Sequence, residues 1–285
     1  MTTSTLPPIF LSHGSPLIAV HPGDTGAFFR RLGPVLEQAF GRPRAILAVS
    51  AHTTTREPVL LAAARHSTIH DFWGFPQALY ELRYDAPGDP AVAQAASDCL
   101  RQAGIAHRVL AEGGLDHGIW TPLIHAWPKA DVPIVPLSLV PSEAAPAMHW
   151  AIGQALAPLT RQGVWILGTG SLTHNLSLAL GGGRIEDRTE TAECAAFRDW
   201  VWQRTQARDW SALLEYRQQA PHAALMHPTD EHWLPFYVPA GAGGRQAAPV
   251  RIHAGVTYGC LAMDAYAFGP EAHRLAQALG CQAAH

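Results

Sequence analysis

Three short apolar runs, each followed within a few residues by a histidine, constrain this chain more than any other feature. Ile9-Phe10-Leu11 passes through Ser12 to His13-Gly14-Ser15-Pro16. Ala45-Ile46-Leu47-Ala48-Val49 passes through Ser50-Ala51 to His52, and Val164-Trp165-Ile166-Leu167 through Gly168-Thr169-Gly170-Ser171 to His174. A bulky apolar run that stops at small residues or proline reads as a buried strand ending in a tight loop. In open α/β sheets ligands gather just outside the carboxyl ends of the strands. The pattern therefore places imidazoles where such folds keep their chemistry.

Helical stretches alternate with these strands. Asp24 is positioned to cap a helix carrying Phe28, Leu32, Val35 and Leu36 on one face, and Pro34 is expected to bend or shorten it. Asp89-Pro90 is a strong helix start, with a capping carboxylate and proline at the first helical position. Val92, Ala96, Cys99 and Leu100 form its buried stripe. Further helices are expected over Ile119–Trp127, around Met148, Ile152, Leu156 and Leu159, and from about Glu186 to Tyr216 after a Gly181-Gly182-Gly183 loop. Strands are expected at Val59–Ala64, Ala106–Leu110 and Pro133–Leu139, with Val250–Met263 closing the sheet. The alternation predicts an α/β fold: a three-layer sandwich with a mixed, largely parallel central sheet and helices on both faces. No repeat or linker divides residues 1–285, so a single domain is expected.

Composition narrows the function classes. A net charge of −3 and a pI near 6.6 argue against nucleic acid or an anionic membrane as a partner. No apolar run reaches the ~18 residues of a membrane span. The first residues lack a basic and apolar leader pattern, and the four scattered cysteines (Cys99, Cys194, Cys260, Cys281) form no CxxC pair. A cytoplasmic location is the expectation, with monomer and small homo-oligomer both open. The outlying figure is 16 histidines against 20 lysines plus arginines.

His13, His52, His174 and His232 share strand-end or helix-start contexts beside small residues. Thr229 is placed to cap a helix whose first turn would hold His232. Such imidazoles can converge on one divalent metal, since a catalytic site needs about three protein ligands and an open position. An all-histidine set suits zinc, whereas histidine plus a carboxylate, here Glu231 or Asp116, suits non-haem iron. Each histidine taken singly also has a plain structural reading. His21, His66, His107, His149, His253, His273 and His285 lie in polar or terminal contexts and are expected to be solvated, and His125 to be a satisfied core group. His70 and His227 sit in loop contexts that suit a pocket role, and the aromatic cluster Phe72, Trp73, Phe75 adjoins His70. Gly168-Thr169-Gly170-Ser171 before a helix could bind an anion, but the full dinucleotide and P-loop patterns are missing, as are HExxH and GxSxG.

Six motifs, in order, resemble those of one family. They are His13-Gly14-Ser15-Pro16, Ser50-Ala51-His52, His70-Asp71-Phe72 with Gly74-Phe75-Pro76, Asp116-His117-Gly118, His174-Asn175-Leu176, and Pro228-Thr229-Asp230-Glu231-His232 with Leu234-Pro235. The family is the class III extradiol ring-cleaving dioxygenases, related to the protocatechuate 4,5-dioxygenase β subunit, with the nearest likeness to the 4,5-DOPA dioxygenase group. The resemblance implies one divalent metal per chain held by His13, His52, His174 and His232, with Fe(II) for turnover and Zn(II) in the resting form. It implies a catechol and O₂ as substrates, His117 as general acid/base and His174 as a second residue that shares that role or ligates. Where the better-known pattern has two histidines and a glutamate, this chain has His232 with Glu231 beside it. Trp73, Phe72 and Trp233 are expected to wall the ring, with His70 and His227 near the substrate. A zinc-dependent hydrolase using the same pocket is the alternative reading, and a metal-binding protein without turnover a third.

Overall fold

The computed structural model describes residues 5–141, 145–181 and 188–281. Among these, eight strands form one sheet: β1 (Ile9–Ser12), β2 (Ala45–Thr54), β3 (Val59–Leu61), β4 (Arg108–Leu110), β5 (Ile134–Leu139), β6 (Val164–Gly170), β7 (Val250–His253) and β8 (Ala265–Ala267). They lie in the order β4-β3-β5-β2-β6-β1-β8-β7. The central four, β5, β2, β6 and β1, are mutually parallel, while β3 opposes β5 and β8 opposes both β1 and β7. The sheet is thus mixed and parallel at its centre.

Side-chain alternation along the central strands makes two cores. Phe10, Leu47, Val49, Val135, Leu137 and Ile166 face one side. There they meet α2 (Pro90–Gln102), α4 (Ala145–Leu156), α5 (Ala192–Ala207) and α6 (Tyr237–Gly243). Ile9, Leu11, Ile46, Ala48, Trp165 and Leu167 face the other, against α1 (Gly23–Phe40), α3 (His117–Ala126) and α7 (Ala272–Ala278). Strands buried on both faces read as continuous apolar runs, which is why they are visible in the sequence.

Several expectations are revised. Pro34 lies inside α1 without ending it, and Pro22, not Asp24, is the capping residue. Asp89 does cap α2, accepting from the Ala91 and Val92 amides at 3.0 Å each. The strands expected at Val59–Ala64 and Ala106–Leu110 are shorter, and of Val250–Met263 only β7 joins the main sheet; 256–257 and 261–262 form a separate ribbon. The long helical region breaks into α5 and the short helices Trp210–Leu214 and Tyr216–Gln219. Gly182-Gly183, Glu186 and His285 lie outside the described residues. β2 runs past His52 to Thr54, and its pairing with β5 slips between Val49 and Thr54. Such irregularities re-aim side chains next to functional sites.

Candidate metal centre

The carboxyl ends of the central strands set the site. His13 follows β1, His52 lies in the irregular end of β2, and His174 follows β6. His232 is carried by a turn that lies directly on β6, where the Ser171 amide donates to the His232 carbonyl at 2.9 Å. Glycine makes that approach possible: a Cβ on Gly170 would stand 2.2 Å from the His232 carbonyl oxygen, and one on Gly168 2.1 Å from that of Pro235. No helix starts at Thr229, whose hydroxyl donates to Glu231 Oε1 at 2.8 Å.

Five imidazoles converge. The rings of His13 and His52 have centroids 4.9 Å apart, with their Nε2 atoms 3.0 Å apart. His232 lies 5.5 Å from His13 and 5.0 Å from His52, centre to centre. His174 stacks on His232 at 3.4 Å, and His117 lies 3.8 Å from His52. One ligand atom from each of His13, His52 and His232 falls within 4.8 Å of the others; the same holds for His52, Asp71 and His117, and for His174, Glu231 and His232.

Burial, with the neighbouring imidazoles, holds His13, His52, His174 and His232 uncharged. It drives His13 and His232 well below the usual histidine range. His52 falls to about 3, by burial first and then by His117. His174 falls to about 4, chiefly by burial. Neutral imidazole is the form that ligates a metal.

Carboxylates and hydroxyls fix the ring orientations. His232 Nδ1–H donates to Glu231 Oε1 at 3.2 Å, and His13 Nδ1 lies 3.0 Å from the Thr169 hydroxyl. Asp71 grips His117 twice, accepting from its backbone amide at 2.9 Å and from Nδ1–H at 3.0 Å. Its Oδ2 is also 3.7 Å from His52 Nδ1. Burial would raise the Asp71 carboxyl, but the hydrogen bonds from the His117 ring and amide, with His117 and His52 close by, outweigh it and hold the group below its ordinary value. Asp116 caps α3 and accepts from Ser50 and Thr53 hydroxyls at 2.6 Å each. It staples the end of β2 to the start of α3, and burial pushes its pKa up against those donors.

The structure thus brings together His13, His52, His117, His174 and His232, with Glu231 at the edge. Four residues expected near the substrate sit in other surroundings. Trp73 is 86 % exposed at the tip of a loop, next to Gly74 in a left-handed conformation. His227 is buried among Phe197, Tyr216 and Trp233, and its Nε2–H donates to the Leu172 carbonyl at 2.9 Å. His70 donates from Nε2 to the Leu82 carbonyl at 3.1 Å and braces the loop that carries Asp71. Trp233 stacks on Phe236 in the core, whereas the Phe72 and His117 rings lie nearly perpendicular with their centres 5.6 Å apart. Asp116, considered above as a ligand, is occupied by its hydroxyl donors. Of the histidines expected in solvent, His66 and His149 are buried and His253 is half-buried, stacked on Phe28. His125 is satisfied by the Ile18 carbonyl at 2.7 Å. Sequence reasoning alone misses Asp71 and Thr169 as site residues. Asp71 had a signal in its position inside the irregular aromatic stretch.

Comparison with known proteins agrees with the geometry. The family described as the catalytic LigB subunit of aromatic ring-opening dioxygenase matches residues 7–269. A Beta vulgaris protein named 4,5-DOPA dioxygenase extradiol is 36 % identical over 261 residues, covering 91 % of this chain and 95 % of that one. An Escherichia coli K12 protein of the same name is 35 % identical over 269 residues, covering 92 % and 94 %. The crystal structure of the E. coli K12 protein JW3007 superposes with a TM-score of 0.73 at 29 % identity, covering 93 % of this chain and 100 % of that one. With its histidines gathered at the carboxyl edge of the sheet, the chain belongs to the LigB family, the class III extradiol ring-opening dioxygenases.

Proposed function

We propose that this protein is a non-haem, metal-dependent extradiol dioxygenase that opens the ring of a catechol, DOPA or a related catecholic acid, with O₂. The observation that carries this reading is the His13–His52–His232 group, His13 and His232 buried and His52 half-buried, with ligand atoms within 4.8 Å of one another, in a chain of this family. Three neutral imidazoles fit one divalent ion and leave positions for other ligands. We assign the ion to these three, with Fe(II) for turnover. Zn(II) is expected in purified protein because it outcompetes Fe(II) at such sites. His174 falls outside that three-membered group and stacks on His232, which favours an acid/base role over permanent ligation.

Bound there, the ion supplies positive charge that acidifies the catechol hydroxyls and a centre at which diol and dioxygen meet. The chain's own residues move the protons. His117 has Nδ1–H committed to Asp71, so Nε2 is the atom that takes a hydroxyl proton and returns it as the ring opens. Phe72 stands nearly perpendicular to that imidazole and offers an apolar wall beside it.

The test is a panel of catechols, DOPA included, added to protein reconstituted anaerobically with Fe(II). A yellow ring-opened product is expected. H117Q is expected to keep its metal and lose about 10²–10⁴-fold in kcat. No product from any catechol, or an unchanged rate in H117Q, would overturn the reaction or the role respectively.

A further inference from the structure

The segment Gly168-Thr169-Gly170 is the end of β6, not an anion-binding loop, and its alternation has a purpose. The two glycines face the turn that carries His232, where a Cβ would meet backbone oxygen. Thr169, between them, faces the opposite way. It is buried, and its hydroxyl lies between two groups: the Gly118 carbonyl at 2.6 Å and His13 Nδ1 at 3.0 Å. A carbonyl can only accept, so the single hydroxyl proton goes to Gly118. Towards His13 the oxygen can then only accept, and the imidazole proton must sit on Nδ1.

We infer that Thr169 is a positioning residue for the metal centre: it locks His13 in the Nδ1–H tautomer, leaving the Nε2 lone pair turned to the metal position beside His52. The inference rests on the proposed reading of His13 as a ligand. The receiving carbonyl is itself fixed. Gly118 lies in the first turn of α3, where a Cβ would stand 2.5 Å from Ser50 Oγ, 2.9 Å from His52 Cδ2 and 3.1 Å from His13 Cε1. Strand β6, helix α3 and the end of β1 are therefore joined through one hydroxyl. Groups that orient a ligating imidazole are commonly worth 10–100-fold in metal affinity.

The experiment is a competition titration of the metal-free protein with Zn(II) against a chromophoric chelator, for wild type, T169V, T169S and H13A. T169V keeps the shape and removes the acceptor; a 10–100-fold weaker Kd is expected. T169S restores the hydroxyl and is expected to bind within about 3-fold of wild type. Full affinity in T169V, with H13A strongly weakened, would overturn the role of Thr169 while leaving His13 a ligand. Full affinity in H13A would overturn the ligand assignment itself. An imidazole ¹⁵N spectrum of metal-free wild type, with the His13 signals assigned by their loss in H13A, decides the matter if T169V fails to fold. Protonated Nδ1 and bare Nε2 are expected on His13, and the reverse would overturn the inference.

Discussion

Asp71 shows how much of this site depends on one carboxylate brought in from a distant loop. Its two oxygens hold the amide and the Nδ1–H of His117, and one of them also lies near His52. D71N keeps one acceptor oxygen and loses the charge and the second acceptor. It is expected to lower kcat about 10–100-fold while metal content stays at the wild-type level, measured by steady-state rates beside elemental analysis. Unchanged kcat would remove Asp71 from the mechanism. At this scale the sequence was partly legible. Histidines flanked by small residues at strand ends stand out, whereas partnership is invisible when the partners are separated as Asp71 is from His117. Asp116 shows the opposite case: its place beside His117 suggested ligation, but Ser50 and Thr53 engage it from β2. His227 and Trp73 show that a loop context does not tell burial from exposure.

The decisive elements are β6 and the turn resting on it. Because glycine bares the strand at 168 and 170, the backbone around His232 packs at a distance no side chain permits. G170A would force a Cβ against the His232 carbonyl. A loss of about 1–3 kcal/mol in urea unfolding is expected, together with weaker metal binding as His232 shifts. An unchanged unfolding midpoint would show that the turn yields freely. The central strands were readable because both faces are buried, so their apolar runs are continuous. The extents of the edge strands and the 229–233 turn were not. Their conformation comes from long-range contacts, such as Ser171 to His232, that local propensity does not encode.

For the molecule as a whole, histidines buried in neutral form make the fold acid-sensitive. His149 donates from Nδ1 to the Ala145 carbonyl at 2.7 Å and accepts from the Val140 amide at 3.2 Å. Burial lowers its pKa to about 4. The unfolded chain, with an ordinary histidine pKa near ~6.5, therefore binds the proton more readily than the fold does. The stability held above pH ~6.5 is lost as pH falls towards 4, with about 2 kcal/mol of it gone by pH 5. Denaturation of metal-free protein at pH 7 and pH 5 checks this: the drop should be about 2 kcal/mol smaller in H149Q than in wild type. Equal drops would place the acid sensitivity elsewhere. The polar sequence context of His149 suggests solvent, but the helix that carries it packs against the sheet.

On the proposed reading, this histidine centre serves dioxygen chemistry on a catechol. The most direct test is oxygen uptake by protein reconstituted with Fe(II), compared with the same protein carrying Zn(II), at a known amount of catechol. About one O₂ consumed per catechol opened in the iron form, and none in the zinc form, is the result this structure predicts for a dioxygenase. Hydrolysis supported by Zn(II), with no oxygen uptake in either form, would contradict it.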